Sequence, residues 1–496
     1  MEIMAQAALA GEVINLLFPV FLSLCLFFLF IKLIKSASSA TGPPLPPGPH
    51  PWPVVGNIFR LGRKPHVRLS QLAQVHGPLM SLSLGRQLIV VASSPATATQ
   101  ILKTHDKILC GRYAPVSSRR NDQLKYLDNF LWTELFSTRA IDSQAALREK
   151  KVRELIRYLG SKEGEVVNIG EVMFATVFNI LCNLFLSKDF ISLEDDEIMK
   201  GGIKRLLRSI SEVASTPNLA DLFPILGPLD IQGLNKKARE LFVKITAMWE
   251  DIIKERREAQ SAGGHVSRQR DLLDVLIDNN FSDDQINNLL LKLFTAGTHT
   301  SSSTIEWAMA EMMKNQESLV KARIELAREI KRENQVREAD LCNLVYLNAC
   351  LKETLRLHPP APFLLPHRAI KTCTVMNYTI PKDSQVFVNV WAIGRDSMAW
   401  SNPLSFNPER FLSSNLGFMG NNFEFIPFGA GRRICPGLPM AGKQIQLIMA
   451  SLIYCCNWSL PNGTHPSTLN MNDKLGVVLQ REQPLLLIPK LRRRNY

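Results

Sequence analysis

The chain has 496 residues, of which 46% are apolar and 21% are charged, which is the composition of a globular protein with a large core. A net charge of +13 could serve a nucleic acid, a membrane surface or an acidic protein partner, but the positive charge is scattered and no basic stripe is interleaved with aromatics, so nucleic acid is disfavoured. The nine cysteines are widely spaced without a C-x-x-C pair, which excludes a disulfide framework and the usual zinc spacings and indicates a reducing, cytosol-facing compartment.

The first predicted element is an uncharged apolar stretch, residues 13–31, close to the roughly 20 residues that a helix needs to cross a bilayer. Lys32 and Lys35 follow it directly while acidic residues precede it, so the positive-inside rule leaves the rest of the chain in the cytosol. A cleaved signal peptide is the alternative, but it would carry its positive charge first and have a shorter apolar core. We therefore predict a single-pass membrane anchor over residues 1–35.

A proline-rich stretch, TGPPLPPGPHPWP at residues 41–53, follows the predicted anchor. Proline at this density excludes a helix and favours an extended, stiff segment. We predict that residues 36–53 form a hinge that lifts the main domain off the membrane. Residues 54–496 then form that domain.

The main domain shows no internal repeat and is mostly helical by its apolar periodicity. Runs typical of β-strands occur at residues 80–93 and 385–393, and the polar stretch 262–271 is predicted to be an exposed loop. These elements predict a mainly α fold with small β-sheets, of the α+β class. The predicted helices are residues 140–160, 171–188, 235–262, 285–330 and 340–357.

Four short motifs follow one another in the second half of the chain, and they are AGTHT (296–300), ETLR (353–356), PERF (408–411) and FGAGRRICPG (428–437). In the last motif, Cys435 follows two arginines and precedes a Pro-Gly turn, with glycines on both sides. A structural cysteine needs none of these neighbours. A metal-ligating cysteine must be ionised, with positive charge nearby and a backbone that admits a bulky group. Cys435 is therefore a candidate metal ligand.

Together with the apolar amino end and the proline-rich stretch, these motifs resemble those of the cytochrome P-450 superfamily, the haem-thiolate monooxygenases, in their plant endoplasmic-reticulum form. The stretches TIEWAMAEM, LLPHRA and FGAGRRICPGLPMA are most similar to the alkaloid-biosynthesis branch, which includes N-methylcoclaurine hydroxylase, phenol-coupling enzymes and littorine mutase. The resemblance implies the cytochrome P-450 fold, a haem b cofactor, dioxygen and a small alkaloid-like substrate. It also implies an anchor in the endoplasmic reticulum membrane, with the catalytic domain facing the cytosol.

By this resemblance Cys435 is the axial ligand of the haem iron, where a thiolate pushes electron density onto the metal and favours cleavage of dioxygen. Backbone N–H groups of the glycine-rich turn are expected to hold the pKa of this cysteine down. Gly429, Gly431 and Gly437 are expected to let the backbone approach the porphyrin face closely. Phe428 is expected to shield the sulfur.

The same resemblance assigns further contacts on the haem side of the core. Arg433 and His367, the latter in LLPHRA, are expected to bind haem propionates. Glu353, Arg356 and Arg410 correspond to the family's Glu-Arg-Arg triad. This triad is a buried ion network that supports the fold of the pocket and takes no part in the chemistry.

In the family, the AGTHT segment belongs to a helix that crosses the distal face of the haem. Ala296 and Gly297 are expected to keep this helix close while leaving room for dioxygen, and Thr300 is expected to hold water that delivers protons. The family usually has an acid before this threonine, where this chain has His299. Either the histidine replaces the acid as a simple polar group, or it retunes proton delivery and thereby the outcome of the oxidation.

A second departure concerns a Trp-x-x-x-Arg pair that the family places just before the TELFS segment to grip a propionate. Leu124 and Asp128 stand in those positions, and Trp132 is followed four residues later by Phe136 rather than by arginine. The loop after Arg112 is also shorter than the family's. The haem affinity and the substrate pocket are therefore both expected to depart from the family's pattern.

The chain carries no phosphate-cradling Rossmann or flavin motif, so its electrons must come from a separate protein. The resemblance implies NADPH–cytochrome reductase, and Arg432 and Lys443 are candidates for docking its acidic face, although they can equally be solubilising charges. Three functions stay open at this point. They are hydroxylation or coupling of an alkaloid, radical rearrangement of the carbon skeleton of a tropane alkaloid ester as in littorine mutase, and haem binding with impaired turnover.

Overall fold

The structure is a computed structural model that describes residues 42–112, 135–194, 202–262, 270–330 and 335–492, together with Pro19 and Ser23. The rest of the predicted anchor lies outside the described residues, as do Leu124, Asp128, Trp132 and most of the predicted loop 262–271.

Helices dominate the described chain. In chain order the α-helices are α1 (Ile58–Leu61), α2 (Pro65–His76), α3 (Pro95–Thr99), α4 (Asp106–Leu109), α5 (Thr138–Ser143), α6 (Ala145–Ser161), α7 (Ile169–Leu186), α8 (Gly202–Ser215), α9 (Leu219–Leu222), α10 (Leu234–Ser261), α11 (Leu272–Asp278), α12 (Asp283–Lys314), α13 (Gln316–Glu329), α14 (Val345–Leu357), α15 (Val390–Ile393) and α16 (Leu438–Cys455). A π-helical turn covers Gln100–Thr104, and 3₁₀ turns cover Pro224–Leu229, Glu338–Asn343, Pro408–Phe411, Gly431–Arg433, Pro461–Gly463 and Pro466–Thr468.

The strands are short and form small sheets. They are β1 (Leu79–Leu84), β2 (Gln87–Ala92), β3 (Gly111–Arg112), β4 (Val167–Asn168), β5 (His367–Arg368), β6 (Cys373–Val375), β7 (Tyr378–Ile380), β8 (Gln385–Val388), β9 (Cys456–Ser459), β10 (Asp473–Leu475), β11 (Leu479–Arg481) and β12 (Leu486–Leu491). The largest sheet has the order β1-β2-β8-β5-β3 and is antiparallel except for the pair β2–β8. A second sheet has the order β4-β12-β9, while β6–β7 and β10–β11 are two-stranded. The prediction of a mainly α fold with small sheets is confirmed.

The longest helix, α12, crosses the core. It begins with a capping box between Ser282 and Gln285 and carries two acidic residues in its first turn, which complements the helix dipole. Every residue from 301 to 313 is buried, so neighbouring elements cover this half of the helix on all sides. The helices α7, α14 and α16 all pack against it. The AGTHT motif lies just before this covered half.

The predicted helix 140–160 falls on two helices, α5 and α6, which are separated at Gln144. The predicted helix 285–330 is likewise divided, into α12 and α13. The break falls at Asn315, whose side chain donates hydrogen bonds to the carbonyl and carboxylate oxygens of Glu311. Asparagine competes for backbone partners in this way, and it therefore favours helix ends over helix interiors. The predicted helix 340–357 is also two elements, since a 3₁₀ turn precedes α14.

Helix α7 is the one described helix that is long and apolar enough to cross a membrane. Most of it is buried inside the domain, where it packs along α12. Its apolar composition is therefore that of a core helix.

The proline-rich segment lies along two sheets from residue 43 onward. Thr379 of β7 donates to the carbonyl groups of Pro43 at 2.6 Å and Pro44 at 2.7 Å. Ser81 of β1 donates through its hydroxyl to the Pro46 carbonyl at 2.6 Å and through its N–H to the Pro47 carbonyl at 2.8 Å. This part of the predicted hinge is thus fixed to the domain.

Helix α8 and the first half of α10 pack against each other through a small apolar cluster. Val213, Leu234 and Leu241 form this cluster, which is distinct from the main core. The second half of α10 is fixed in the main core, where Trp249 is buried and donates from its indole N–H to Asn287 Oδ1 of α12 at 2.7 Å. We call α8 and the first half of α10 the cover unit.

Candidate active site

Cys435 lies in a tight loop at the amino end of α16. Its backbone N–H donates to the Phe428 carbonyl at 2.9 Å, which closes the loop, and Gly437 is the N-cap of the helix. Gly429 and Gly431 have φ angles of 76° and 67°, which residues other than glycine adopt only at a cost. The glycine-rich motif therefore builds a turn that delivers the thiol to the start of a helix.

The electrostatics of the Cys435 thiol have two opposing parts. Burial raises its pKa above the ordinary value, while hydrogen bonds from the backbone N–H groups of Gly437 and Leu438 lower it. The expected backbone donors are present, but burial outweighs them, so the turn alone does not ionise the sulfur. A bound metal ion would complete the ionisation, because a coordinating thiol is deprotonated by the metal's charge.

The two glycines that flank Cys435 face different neighbours. A Cβ at Gly431 would lie 2.2 Å from the Leu102 carbonyl oxygen, so this glycine allows the loop to approach the π-helical turn. A Cβ at Gly437 would lie 3.9 Å from the sulfur of Cys435 and 3.9 Å from the ring of Phe136, which is ordinary contact. The close approach that Gly431 permits is therefore to protein backbone.

Replacing Gly431 by alanine is expected to lower the thermal stability and the haem content of the protein. The new Cβ combines a backbone clash with a φ of 67°, and strain of this kind costs about 1–3 kcal/mol. Differential scanning calorimetry and the haem-to-protein absorbance ratio measure both effects. Gly442→Ala in α16 is the matched control, since its Cβ would meet nothing within 4 Å. Equal behaviour of the two variants would contradict the steric argument.

Three basic side chains meet beside the Cys435 loop. Arg433 donates to the Cys110 carbonyl at 2.9 Å, and Arg112 donates to the Leu365 carbonyl at 2.9 Å. Arg112 of β3 lies opposite His367 of β5 in the sheet. Burial, together with the charges of Arg112 and Arg433, lowers the pKa of His367 to about 4. This cluster would suit an anionic group near the thiol, and the propionates of a haem are such groups.

Sequence analysis gave Arg112 no role in this cluster. Its place is set by the pairing of β3 with β5. Arg112 and its partner Leu365 are 253 residues apart in the sequence. No local pattern carries that information.

On α12, Ala296 and Thr300 share one face, one helical turn apart. The Thr300 hydroxyl donates to the Ala296 carbonyl at 2.7 Å. Ala296 is exposed although it lies in a core helix, so neighbouring elements leave this face uncovered, and we call the space in front of it the cleft. Gly297 turns elsewhere, because a Cβ there would lie 2.8 Å from Cδ1 of Leu181 in α7. The lack of a side chain at Gly297 thus serves the packing of α7 on α12.

His299 faces a third direction, toward α8 and α7. Its Nε2 lies 2.9 Å from the hydroxyl of Ser211 in α8, and its ring centroid is 5.2 Å from that of Phe174 in α7. Burial lowers the pKa of His299 to about 4, and a hydrogen bond with the Leu207 backbone opposes this shift. The imidazole is therefore neutral at pH 7 and cannot be a charged replacement for an acid.

The low pKa of His299 predicts a loss of stability in acid. The unfolded chain takes up this proton near pH 6.5 while the folded protein resists it down to about pH 4, so unfolding is favoured progressively as the pH falls between these values. His299→Gln is expected to reduce the slope of the unfolding free energy in this range by about 1.4 kcal/mol per pH unit. Urea titrations at pH 5 and pH 6 measure the slope. His50→Gln, at an exposed site, is the control, and an unchanged slope in His299→Gln would contradict the assignment.

The residues of ETLR and PERF meet in a buried ion network. Glu353 accepts from Arg356 twice at 2.7 Å and from Arg410 at 3.0 Å. The Asn407 backbone N–H donates to the same carboxylate at 2.8 Å. Arg356 also donates to carbonyl groups of the segment before PERF, including that of Pro403 at 2.7 Å. The network joins α14 to the chain that leads into the Cys435 loop.

The structure thus gathers the expected residues into three groups. Phe428, Gly431, Arg433, Cys435 and Gly437 share the loop, with His367 in the adjoining basic cluster; Ala296 and Thr300 border the cleft on α12; and Glu353, Arg356 and Arg410 form the ion network. Gly297 faces Leu181 of α7, and His299 faces Ser211 of α8 at the edge of the Ala296 face.

Comparison with known proteins identifies the family of this chain. The family model of cytochrome P-450 matches residues 46–488, which is most of the chain. The chain belongs to the cytochrome P-450 family.

This cytochrome P-450 is similar over nearly its whole length to plant enzymes of alkaloid metabolism. It is 48% identical over 482 residues to a probable (S)-N-methylcoclaurine 3'-hydroxylase, isozyme 2, of Coptis japonica, covering 95% of this chain and 97% of the relative. It is 46% identical over 463 residues to (S)-N-methylcoclaurine 3'-hydroxylase isozyme 1 of Eschscholzia californica, covering 90% and 94%. It is 45% identical over 465 residues to corytuberine synthase of Coptis japonica, again covering 90% and 94%. The protein is therefore an oxidoreductase of the cytochrome P-450 monooxygenase type.

The family implies haem, and the described residues fit that group. A half-buried thiol that needs a metal to ionise, a basic cluster beside it and a cleft along α12 are the features that an iron porphyrin requires.

Proposed function

We propose that this cytochrome P-450 is a membrane-anchored monooxygenase that hydroxylates or couples a benzylisoquinoline-type alkaloid. The observation that carries the proposal is the Cys435 thiol at the start of α16 with Arg112, Arg433 and His367 beside it. The substrate class is supported by the hydroxylases of N-methylcoclaurine that this chain resembles at 46–48% identity. The anchor is supported by the apolar stretch 13–31.

Each group of side chains has a distinct task. Cys435 would hold a haem through its sulfur, and Arg112, Arg433 and His367 would hold its propionates. The bound haem supplies the activation of dioxygen. The ion network of Glu353, Arg356 and Arg410 fixes the chain that carries the Cys435 loop.

Thr300 is the residue that handles protons at the cleft. Because its hydroxyl donates its own proton to the Ala296 carbonyl, the lone pairs of Oγ1 are directed away from that carbonyl. They can accept a hydrogen bond from water in the cleft and hold it there. The main chain thereby orients the side chain for proton delivery.

Replacing Thr300 by alanine is expected to uncouple electron use from product formation. Without Oγ1 the cleft water loses its partner, and general acid–base assistance of this kind is worth about 100-fold or more. The fraction of NADPH electrons recovered in product is expected to fall, and hydrogen peroxide to rise. Assays of NADPH, peroxide and product in one reaction measure this. Thr300→Ser keeps the hydroxyl and should retain coupling; equal uncoupling in both variants would contradict the role of Oγ1.

Electrons are proposed to arrive from NADPH–cytochrome reductase at the surface behind the Cys435 loop. Arg432 of the loop is exposed and pairs with Asp106 at 3.2 Å, and Lys443 of α16 pairs with Asp142 at 2.5 Å. A surface depression lined by residues 103–108 and Arg432 lies at the same place. These basic groups lie close to the thiol in the chain and would suit an acidic partner.

The test of the proposed function combines a spectrum with a product analysis. Microsomes that contain this protein and a plant reductase are reduced under carbon monoxide, and the thiolate-type difference spectrum is expected. They are then supplied with labelled dioxygen and a panel of benzylisoquinolines and tropane esters. Hydroxylated or coupled benzylisoquinolines support the proposal. Only tropane products with a rearranged carbon skeleton, or a spectrum without turnover of any panel member, would overturn it.

A further inference from the structure

The contact between His299 and Ser211 joins the cover unit to the helix that lines the cleft. Ser211 is buried on α8, and its hydroxyl meets Nε2 of His299 on α12 at 2.9 Å. A hydrogen bond with the Leu207 backbone, one turn earlier on α8, also reaches His299. Two successive turns of α8 therefore hold the same imidazole.

The imidazole itself is held in place from the other side. Phe174 of α7 packs on it with ring centroids 5.2 Å apart and an angle of 54° between the planes. Phe174 is buried in the main core, next to Phe178, whose ring is stacked at 6.2 Å. The His299 side chain is thus packed against the main core on one side and hydrogen-bonded to α8 on the other.

The rest of the cover unit has its own apolar cluster, formed by Val213, Leu234 and Leu241. Leu207 of α8 is buried in the main core, and Ile203, Leu206 and Ile210 pack against that core while remaining partly exposed. A helix that is held partly by a satellite cluster opens at lower free energy than one embedded in the main core. The buried hydrogen bond between Ser211 and His299 adds to these apolar contacts in fixing the position of α8.

The geometry of α12 connects this contact to the cleft. Successive residues of a helix are 100° apart, so His299 projects at the edge of the face that Ala296 and Thr300 present. α8 therefore lies along the border of the cleft where Thr300 acts. A shift of α8 changes access to that border.

We propose that His299 is a positioning residue that latches α8 through Ser211, and that this latch controls how readily a bulky molecule enters and leaves the cleft. The inference rests on the proposed haem site but on no particular substrate. His299 is neutral at pH 7 because burial lowers its pKa to about 4, which suits a lasting hydrogen bond to a hydroxyl. In this proposal, histidine replaces the family's acid at this position because its imidazole forms the hydrogen bond that holds α8.

The test compares Ser211→Ala with Ser215→Ala in the haem-loaded, full-length protein. Ser215 lies on the same helix, but it is exposed and its hydroxyl donates to the Glu212 carbonyl within the helix. Amide hydrogen exchange of residues 203–214 is measured by mass spectrometry. The association rates of clotrimazole, a bulky azole, and of carbon monoxide are measured by stopped flow.

In Ser211→Ala we expect amide exchange in α8 and the association of clotrimazole to accelerate about fivefold, because one net hydrogen bond is lost. Carbon monoxide, which needs no opening, is expected to bind at the wild-type rate. His299→Phe should reproduce these changes, and the double variant should add nothing further, since both partners serve one contact.

Equal exchange and equal clotrimazole rates in Ser211→Ala and Ser215→Ala would overturn the latch, as would additive effects in the double variant. The thiolate-type carbon monoxide spectrum is recorded for every variant, and its loss in Ser211→Ala with unaltered exchange would also overturn the proposal. None of these measurements uses an alkaloid. The test of the latch therefore remains valid even if the proposed substrate class is wrong.

Discussion

Cys435→Ser is expected to abolish the thiolate-type carbon monoxide spectrum and to reduce turnover below about 1% of the wild-type rate. A serine hydroxyl has no accessible anion at neutral pH, so the iron loses the electron donation that drives cleavage of dioxygen. The loop should still close, because the backbone N–H at this position, which donates to the Phe428 carbonyl, is unchanged. Reduced carbon monoxide difference spectra and NADPH-dependent product formation in reductase-containing microsomes measure the two losses.

A matched control for this variant is Cys342→Ser. Cys342 is exposed, and its thiol contacts the Ala339 carbonyl in a surface turn. We expect Cys342→Ser to keep both the spectrum and the turnover. If Cys435→Ser kept them as well, Cys435 would not be the ligand and the assignment of the whole site would be wrong.

The second large effect is expected at Arg356. Arg356→Leu removes both bonds to Glu353 and leaves that carboxylate in the core with Arg410 as its remaining charged partner. Breaking a buried ion pair by deleting one member costs about 3–5 kcal/mol, which is a large fraction of the stability of a typical domain. The variant should therefore melt well below the wild type and accumulate without haem, as measured by calorimetry and by the haem-to-protein absorbance ratio.

Arg328→Leu offers the comparison for Arg356→Leu. Arg328 pairs with its neighbour Glu329 at 2.7 Å, but 70% of its side chain is exposed. An exposed pair of this kind contributes about 0–1 kcal/mol, so this variant should melt close to the wild type. Similar losses in the two variants would show that the ETLR network is not a special support of the fold.

Short-range patterns in the sequence were sufficient for the fold class and for the Cys435 loop. The helical periodicity located α7 and α10, and the start of α12, to within a few residues, because each buries one or more apolar faces. The loop was recognisable because a thiolate ligand, two turn-forming glycines and a basic residue must be close in sequence to be close in space. The break at Asn315 was missed because asparagine is an ambiguous signal inside a polar helix face.

Contacts between distant segments could not be read in the same way. Arg112 joins the basic cluster through strand pairing, and His299 finds its partner Ser211 across an |i−j| of 88. For Gly297 and Gly431 a motif shows that a side chain is absent, but it does not show which protein neighbour lies closest to the vacant position. That neighbour is Leu181 for Gly297 and the Leu102 carbonyl for Gly431.

The docking of the proline-rich segment sets where the chain can be shortened to obtain a detergent-free sample. A cut at residue 54 would remove the carbonyl groups of Pro49 and His50, which accept from the side chain of Asn57 at 3.2 Å each. Asn57 is only 1% exposed in the intact domain, so this cut would open a buried amide to water and remove two of its hydrogen bonds. A cut between residues 36 and 42 removes the apolar stretch 13–31 and keeps the contacts of Pro49 and His50 with Asn57.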